Sequence, residues 1–361
     1  MRPKTSFKAL LLQEGILRFE LSWTAVLLSN ITEKIGVIGN GVLNNLDQNG
    51  LTKLNELIKN EIREVISVHK NITENSFCSM VQSDFAKWIK CANRKYAVEV
   101  FTTNYDYLFE IAFEHFNVPY YDGFTGSYKP FFNPDSVEDL GYLPQQTKLW
   151  KIHGSLGLHQ ELGSKKIVKG ASNQDDLLIY PSSLKYADCR KQPYTSFMDR
   201  LNMFLKQNDA VLFVCGYSFR DEHINERIIS ALDTNTSVHV FVLDYDICKD
   251  KDGNRYSTFN EDTILAKKAI YTRKLSVLSS RTAIIGSKIG KWKLKKEPSN
   301  EDTISINWYF DEDAPIDNDI ALNKEKQGSE QWTGEGELRI TDFKNFTQFL
   351  LYMIPEAELY E

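Results

Sequence analysis

Three short polar segments of the chain hold residue types that can do chemistry. The first is Thr102-Thr103-Asn104-Tyr105-Asp106, which follows a β-branched and aromatic run. There Asn104 can project an amide toward a ligand, while Asp106 sits where a carboxylate can cap backbone amides or hold a ribose hydroxyl. The structural alternative, a helix N-cap and nothing more, is equally open for this segment alone. The second is Leu149-Trp150-Lys151-Ile152-His153-Gly154-Ser155. An apolar approach delivers a histidine, and two small residues then let the backbone turn sharply. An imidazole near its reference pKa is suited to take a proton from water or from a sugar hydroxyl; the competing reading is a buried structural histidine. The third is Gly216-Tyr217-Ser218-Phe219-Arg220-Asp221-Glu222-His223-Ile224-Asn225. Gly216 and Ser218 permit close backbone approach to a nucleotide. Asp221 can cap the following helix, with Asn225 one turn further along the same face, and His223 reads as a helix-surface residue.

These segments need elements to position them. YAVEVFTTN reads as a strand and YDYLFEIAFEHF as a helix; DAVLFVCGYSF is a buried-type strand, DEHINERIISALDT a helix opening at Asp221, and VHVFVLDYD a strand. LSVLSSRTAII is a further strand candidate. Near-continuous apolar strands alternating with helices predict a doubly wound, Rossmann-like parallel α/β sheet, a class in which ligands sit beyond the carboxyl ends of strands. Ahead of this core, Ala9 to Leu17, Leu21 to Ile38 and Leu51 to Val68 carry apolar residues at helical spacing. The Gly36-x-x-Gly39-x-Gly41 spacing between them is turn chemistry, not a dinucleotide fingerprint. After residue 287 the pattern thins to one strand candidate, TISINWYF, and a terminal amphipathic helix whose Phe343, Phe346, Phe349 and Leu350 share a face suited to core docking. The Lys291–Lys296 cluster reads as a solvated strand edge or face. The expected division is a helical N-terminal module (1–95), the Rossmann-like core (96–287) and a small α+β extension (288–361).

Composition narrows the function classes. Of 361 residues, 42% are hydrophobic and 25% charged, ordinary values for a chain with a sizeable core. The formal charge of −6 speaks against gripping nucleic acid by phosphate neutralisation. No apolar run is long enough to span a bilayer, and the opening MRPKTSFKALLLQEG lacks a small-residue cleavage site, which predicts a cytoplasmic protein. The five cysteines are scattered and form no C-x-x-C pair, so neither a zinc ribbon nor a dithiol redox site is indicated.

In order, T-T-N-Y-D, K-I-H-G-S and G-Y-S-F-x-D-x-H-I-N resemble the sirtuin-like (SIR2-like) domains of bacterial antiphage defence proteins. Tyr121-Asp122-Gly123-Phe124, and Leu178-Ile179-Tyr180-Pro181 ahead of Lys185-Tyr186, match as supporting phrases. The resemblance runs from about residue 20 to 245. It implies an NAD+ hydrolase that releases nicotinamide, leaves ADP-ribose and depletes NAD+ when infection is sensed. By the same resemblance, Asn104 would orient the nicotinamide ribose or the attacking water. His153 would act as general base or hold ribose hydroxyls, and Asp106 would support the nicotinamide side. Thr102, Thr103, Gly154 and Ser155 would line the cofactor, with Gly216, Tyr217, Ser218, Asp221 and Asn225 on the adenosine side. A homo-oligomer, and a HerA-type ATPase or Argonaute-like partner, are further implications.

Two departures shape the expectation. The zinc-ribbon cysteines of sirtuin deacylases are absent, which makes a protein deacylase a remote alternative and a metal site unexpected. The apolar strand and Gly-Ala-Gly-x-Ser loop that open the family are not found; FELSWTAVLLSNITEKIG resembles the helical region that normally follows them. An internal start, a truncated chain and a lost phosphate loop all fit that observation. The last would leave a catalytically silent subunit that binds partner proteins or ADP-ribose-type ligands.

Overall fold

The computed structural model describes residues 42, 45–92, 95–161, 163–173, 176–179, 191–251, 255–299, 306–312 and 334–354. The expected helices before Ile38, the Gly36–Gly41 turn and the Tyr180–Tyr186 phrase lie outside these residues. The fold is mixed α/β with parallel sheets, Rossmann-like in the succession of its strands and helices. Two units are resolved: residues up to Ala86 with Arg94–Arg200, and Lys87–Asn93 with Leu201–Glu361.

In the first unit, helix α1 (Gln48–Ile66) starts where the Asp47 carboxylate accepts the Gly50 amide at 2.7 Å. A 3₁₀ turn (Val68–Asn71) follows it, and α2 (Val81–Cys91) begins in this unit. Strand β1 (Glu99–Thr102) leads into helix α3 (Leu108–His115), and β2 (Tyr120–Tyr121) follows. Short strands β3 (Phe124–Thr125) and β4 (Phe131–Phe132) come next, with helix α4 (Pro134–Glu138). Strand β5 (Thr147–Lys151) is central, flanked by β1 and β2 and parallel to both. All five of its residues are buried, as a strand covered on both faces requires. Strands β6 (Leu158–Gln160) and β7 (Ile167–Lys169) complete a small antiparallel sheet of order β3-β4-β7-β6. Strands of two or three residues give no readable periodicity, and the sequence does not announce this sheet.

The core of the first unit holds Phe113, Val137, Leu149 and Trp150, all fully buried. It also holds a charge. Arg200, at the seventh position of helix α5 (Tyr194–Lys206), grips Glu99 with two bonds of 2.9 and 2.6 Å and donates to the Val137 and Asp139 carbonyls. The Trp150 indole donates to the same Glu99 carboxylate at 2.7 Å. Bidentate geometry and the added carbonyl acceptors offset much of the desolvation cost that an incomplete buried pair would leave uncompensated.

In the second unit, β8 (Val211–Cys215), helix α6 (Glu222–Thr234), β9 (His239–Asp244), a β10–β11 hairpin (Ile247–Lys249, Arg255–Ser257), helix α7 (Ile264–Tyr271) and β12 (Leu275–Ser279) follow in sequence. Strands β8, β9 and β12 are parallel neighbours. Helix α6 buries Ile224, Ile228, Ala231 and Leu232, a stripe at helical spacing. The strand expected over LSVLSSRTAII is two: β12 turns at Ser280-Arg281 into β13 (Thr282–Ile285), which pairs back antiparallel. β14 (Lys288–Lys291) then forms the sheet's edge, with all four residues exposed. TISINWYF is also corrected. Its described part is a 3₁₀ turn (Ile306–Trp308) followed by the two-residue strand β15 (Phe310–Asp311), paired with β16 (Glu337–Leu338). The terminal helix α8 (Phe343–Tyr352) docks as expected: Phe346 is buried 5.5 Å from the Phe213 ring, and Phe349 meets Tyr309.

Candidate functional site

Parallel register brings the first two polar segments to one edge of the sheet. Thr102, the last residue of β1, lies beside Lys151, the last of β5. The loops that leave these strands are then joined: the Ile152 amide donates to the Thr102 carbonyl at 3.0 Å, and the Leu156 amide to the Tyr105 carbonyl at 3.1 Å. The Ser155 hydroxyl reaches the same Tyr105 carbonyl at 3.3 Å. Asn104 and His153 are therefore carried on adjoining loops at the carboxyl ends of neighbouring parallel strands. Asn104 is exposed, His153 half-buried, and Gly154 and Ser155 buried.

Several candidates also have structural duties. The Thr102 hydroxyl accepts the Asn104 amide at 3.1 Å, which curls the turn that projects Asn104. Asp106 accepts the Leu108 amide at 3.0 Å, so one carboxylate oxygen satisfies the first amide of α3. Asp106 thus has a structural duty one residue ahead of the N-cap, Tyr107, and half-burial leaves part of its side chain open to solvent. Thr103 is half-buried between these two.

The turn after His153 admits only glycine. Gly154 has φ +91, and a Cβ there would lie 2.1 Å from the Leu177 carbonyl oxygen. The same stretch pairs as a bridge between Gly154 and Leu178, and the Ile179 amide donates to the His153 carbonyl at 2.8 Å. The Tyr105 hydroxyl ends on the Ile179 carbonyl at 2.6 Å, so the first loop is pinned to the strap that pins the second.

Beneath the loops lie groups that sequence reasoning did not single out. The Asp176 carboxylate, with no exposed side-chain surface, accepts the amides of Gly157 (3.0 Å) and Asn173 (3.1 Å) and the Ser172 hydroxyl. Arg63 Nε of α1 and His159 Nδ1 each approach it at 3.5 Å. Nearby, Lys151 pairs with Glu110 of α3 at 3.1 Å and donates to the Asp106 carbonyl. Burial pushes the Glu110 carboxyl up, and the Lys151 charge holds it down. His69 meets the Tyr107 ring edge-on at 5.0 Å. Burial, helped by the Lys70 charge, lowers its pKa, while Asp106 and Glu64 oppose the shift. The only signals for these groups were the i, i+4 spacing of Asp106 and Glu110 and the lysine inside an apolar strand. Asp176 lies 19 residues from Gly157, and the pairing leaves no local pattern.

The third segment forms its own strand end in the second unit. Gly216 follows β8 with φ +64 and is exposed, as is Ser218. Asp221 is the α6 N-cap and accepts the His223 amide at 3.1 Å. The Tyr217 hydroxyl shares its single proton between the Asp221 carbonyl (3.0 Å) and Asn225 Oδ1 (2.8 Å), while Asn225 Nδ2 donates to the Phe219 carbonyl at 2.8 Å. Asn225 thus shapes the loop with both ends of its amide, and the loop presents Gly216 and Ser218.

Chemically, the first unit offers an exposed carboxamide, an imidazole and a part-open carboxylate at adjoining strand ends. The second offers a glycine-led loop whose backbone approaches solvent. Both suit a polar ligand bearing hydroxyls and phosphates. Among the described residues, no group of three or more His, Cys, Asp and Glu side chains could hold a metal ion. No described helix is long and apolar enough to cross a membrane.

No curated protein matches the chain. The family model of the SIR2-like domain matches residues 98–270, from the residue before β1 into the last turn of α7. All three polar segments fall inside those bounds, and the chain carries a SIR2-like domain.

Proposed function

We propose that this chain cleaves the nicotinamide–ribose bond of NAD+ with water, giving nicotinamide and ADP-ribose. SIR2-like domains use NAD+. The observation that carries the reading is the placement of Asn104 and His153 on hydrogen-bonded loops at the carboxyl ends of β1 and β5. In the reaction, the bond from C1′ of the ribose to the nicotinamide nitrogen breaks, and the nitrogen keeps the electron pair. A water oxygen bonds to C1′, and its proton passes to His153. Departure of nicotinamide leaves an oxocarbenium-like sugar, so the protein need only position the ribose, present the water and stabilise developing charge.

Asn104 orients the ribose or the water by its carboxamide, and Asp106 lends its uncommitted carboxylate oxygen to the nicotinamide side. Thr102, Thr103, Gly154 and Ser155 shape the wall. The resemblance assigns the adenosine side to Gly216 and Ser218, which the second unit carries on a loop held by Tyr217, Asp221 and Asn225. The resemblance to antiphage defence domains supports a role in cytoplasmic NAD+ depletion, as a homo-oligomer or with an ATPase or Argonaute-like partner.

The test is nicotinamide release from NAD+ by the purified chain, beside His153→Ala and Asn104→Ala. Loss of a general base is expected to lower the rate by about 10²–10⁴, with Asn104→Ala also severely impaired. Turnover by His153→Ala equal to the parent's would remove the proposed base. No turnover by the parent chain would favour the silent, ligand-binding subunit.

A further inference from the structure

One charged side chain that the hydrolysis scheme does not use reaches across the loops of the first unit. Lys151 ends β5 two residues before His153, in register with Thr102 of β1. Its ammonium donates to the carbonyl of Asp106 and pairs with Glu110 Oε1 at 3.1 Å, with 6% and 9% of the two side chains exposed. Glu110 lies one helical turn after Asp106, and its Oε2 is buried without a hydrogen-bond partner among the described residues.

We propose that Lys151 is a positioning residue that fixes the Asn104–Asp106 turn relative to the strand carrying His153; its role in catalysis rests on the hydrolase reading. The backbone bonds from Ile152 to Thr102 and from Leu156 to Tyr105 secure the near part of the turn. The Asp106 carbonyl is the far part, and a side chain from β5 holds it. Fixing that peptide fixes the direction in which the Asp106 carboxylate leaves the chain, and it limits the arc through which Asn104 can swing. Glu110 keeps the ammonium from turning elsewhere. A charge this well buried is retained only where its partners are constant, which makes Lys151 a stiff brace rather than a solvated tether. Small displacements of orienting groups are costly: about 1 Å of misplacement can lower a rate by roughly 10²-fold.

The experiment compares the parent with Lys151→Met, Lys151→Arg and the double variant Lys151→Met/Glu110→Leu, which leaves no unpaired buried charge. Amide exchange is followed over residues 103–108 in the unliganded proteins, with melting temperature, and kcat and KM for nicotinamide release. In the folded Met variants, exchange at 103–108 is expected to rise about tenfold or more, while β5 stays protected. Their kcat is expected to fall roughly 10- to 100-fold with little change in KM, and Arg to restore part of it. A folded double variant with parental exchange over 103–108 overturns the brace. Faster exchange with parental kcat overturns its role in positioning for catalysis. If the parent releases no nicotinamide, the hydrolase reading fails on its own, and the exchange measurement alone decides whether Lys151 holds the turn.

Discussion

At the carboxyl ends of β1 and β5 the loops rest on buried charge: Asp176 beneath Gly157 and Asn173, with Arg63 and His159 at 3.5 Å, and Lys151 between Asp106 and Glu110. At the end of β8 the turn over Tyr217–Phe219 is closed by neutral groups, with Tyr217, Asn225 and the Phe219 carbonyl bonded in a ring, while the buried Asp221 carboxylate caps α6 beyond it. Phe219 itself sits at φ 54, a conformation that disfavours a side chain and that the Asn225 bond helps to hold. Charge in a dry setting holds position rigidly, and its loss is severe because the remaining partner stays buried and unpaired. Neutral bonds hold less tightly and fail locally. The difference sets a stiffer support under the loops of the first unit and a more yielding one under the loop of the second.

The sharpest way to break this contrast is to remove the charge from the first unit. Asp176→Ala strands Arg63 and leaves two amides without their acceptor, and a loss of about 3–5 kcal/mol is expected in denaturant unfolding. A loss below that of the neutral variants would end the argument for charged support. In the second unit, Asn225→Ala removes both bonds of the ring and is expected to cost about 1–3 kcal/mol. Its signature is faster amide exchange confined to 216–225; exchange spreading into β9 would show that the loop is not a local unit. Asp221→Ala deletes the α6 N-cap for about 1 kcal/mol, visible as fraying of the first turn by exchange.

The smallest effect is a pH dependence. Burial raises the Asp342 carboxyl, the N-cap of α8, above its ordinary value, against the hydrogen bonds from Asn345 and Lys344. The folded state therefore holds this proton more tightly than the unfolded one. Stability from this group is full below the unfolded pKa and is lost as pH rises through the folded pKa. Asp342→Asn keeps a cap oxygen without ionising. Its melting temperature should gain on the parent's as pH rises from acid to neutral, and a constant gap would dismiss the burial argument.

Where local pattern carries the information, the sequence is readable. Asp221 announces the start of α6 because a carboxylate before an apolar helical stripe is a cap signal. β8 and β9 announce themselves as apolar runs. The β12–β13 reversal is missed because Ser280-Arg281 carries no glycine, proline or asparagine turn signal. TISINWYF has strand composition, yet its described part is a 3₁₀ turn with only Phe310 in a strand, because composition alone does not fix the backbone of so short a run. Of the site, the projecting residues and Gly154 are legible as types at strand ends. Their supports are not, because Asp176 and Arg63 meet only after distant segments fold together. Lys151 reads as part of an apolar approach, and nothing local reveals that its ammonium turns inward.

The exposed edge strand β14 bears on how copies of this chain can associate. Pairing two such edges would extend the sheet through backbone bonds, the commonest accidental route to aggregation. Here Lys288 and Lys291 stand on a strand open to solvent along its whole length. Two copies meeting edge to edge would bring like charges together, a repulsion that strengthens as salt is removed. The edge thus discourages self-recognition through the backbone, and it leaves ordered assembly to side-chain surfaces that can be specific.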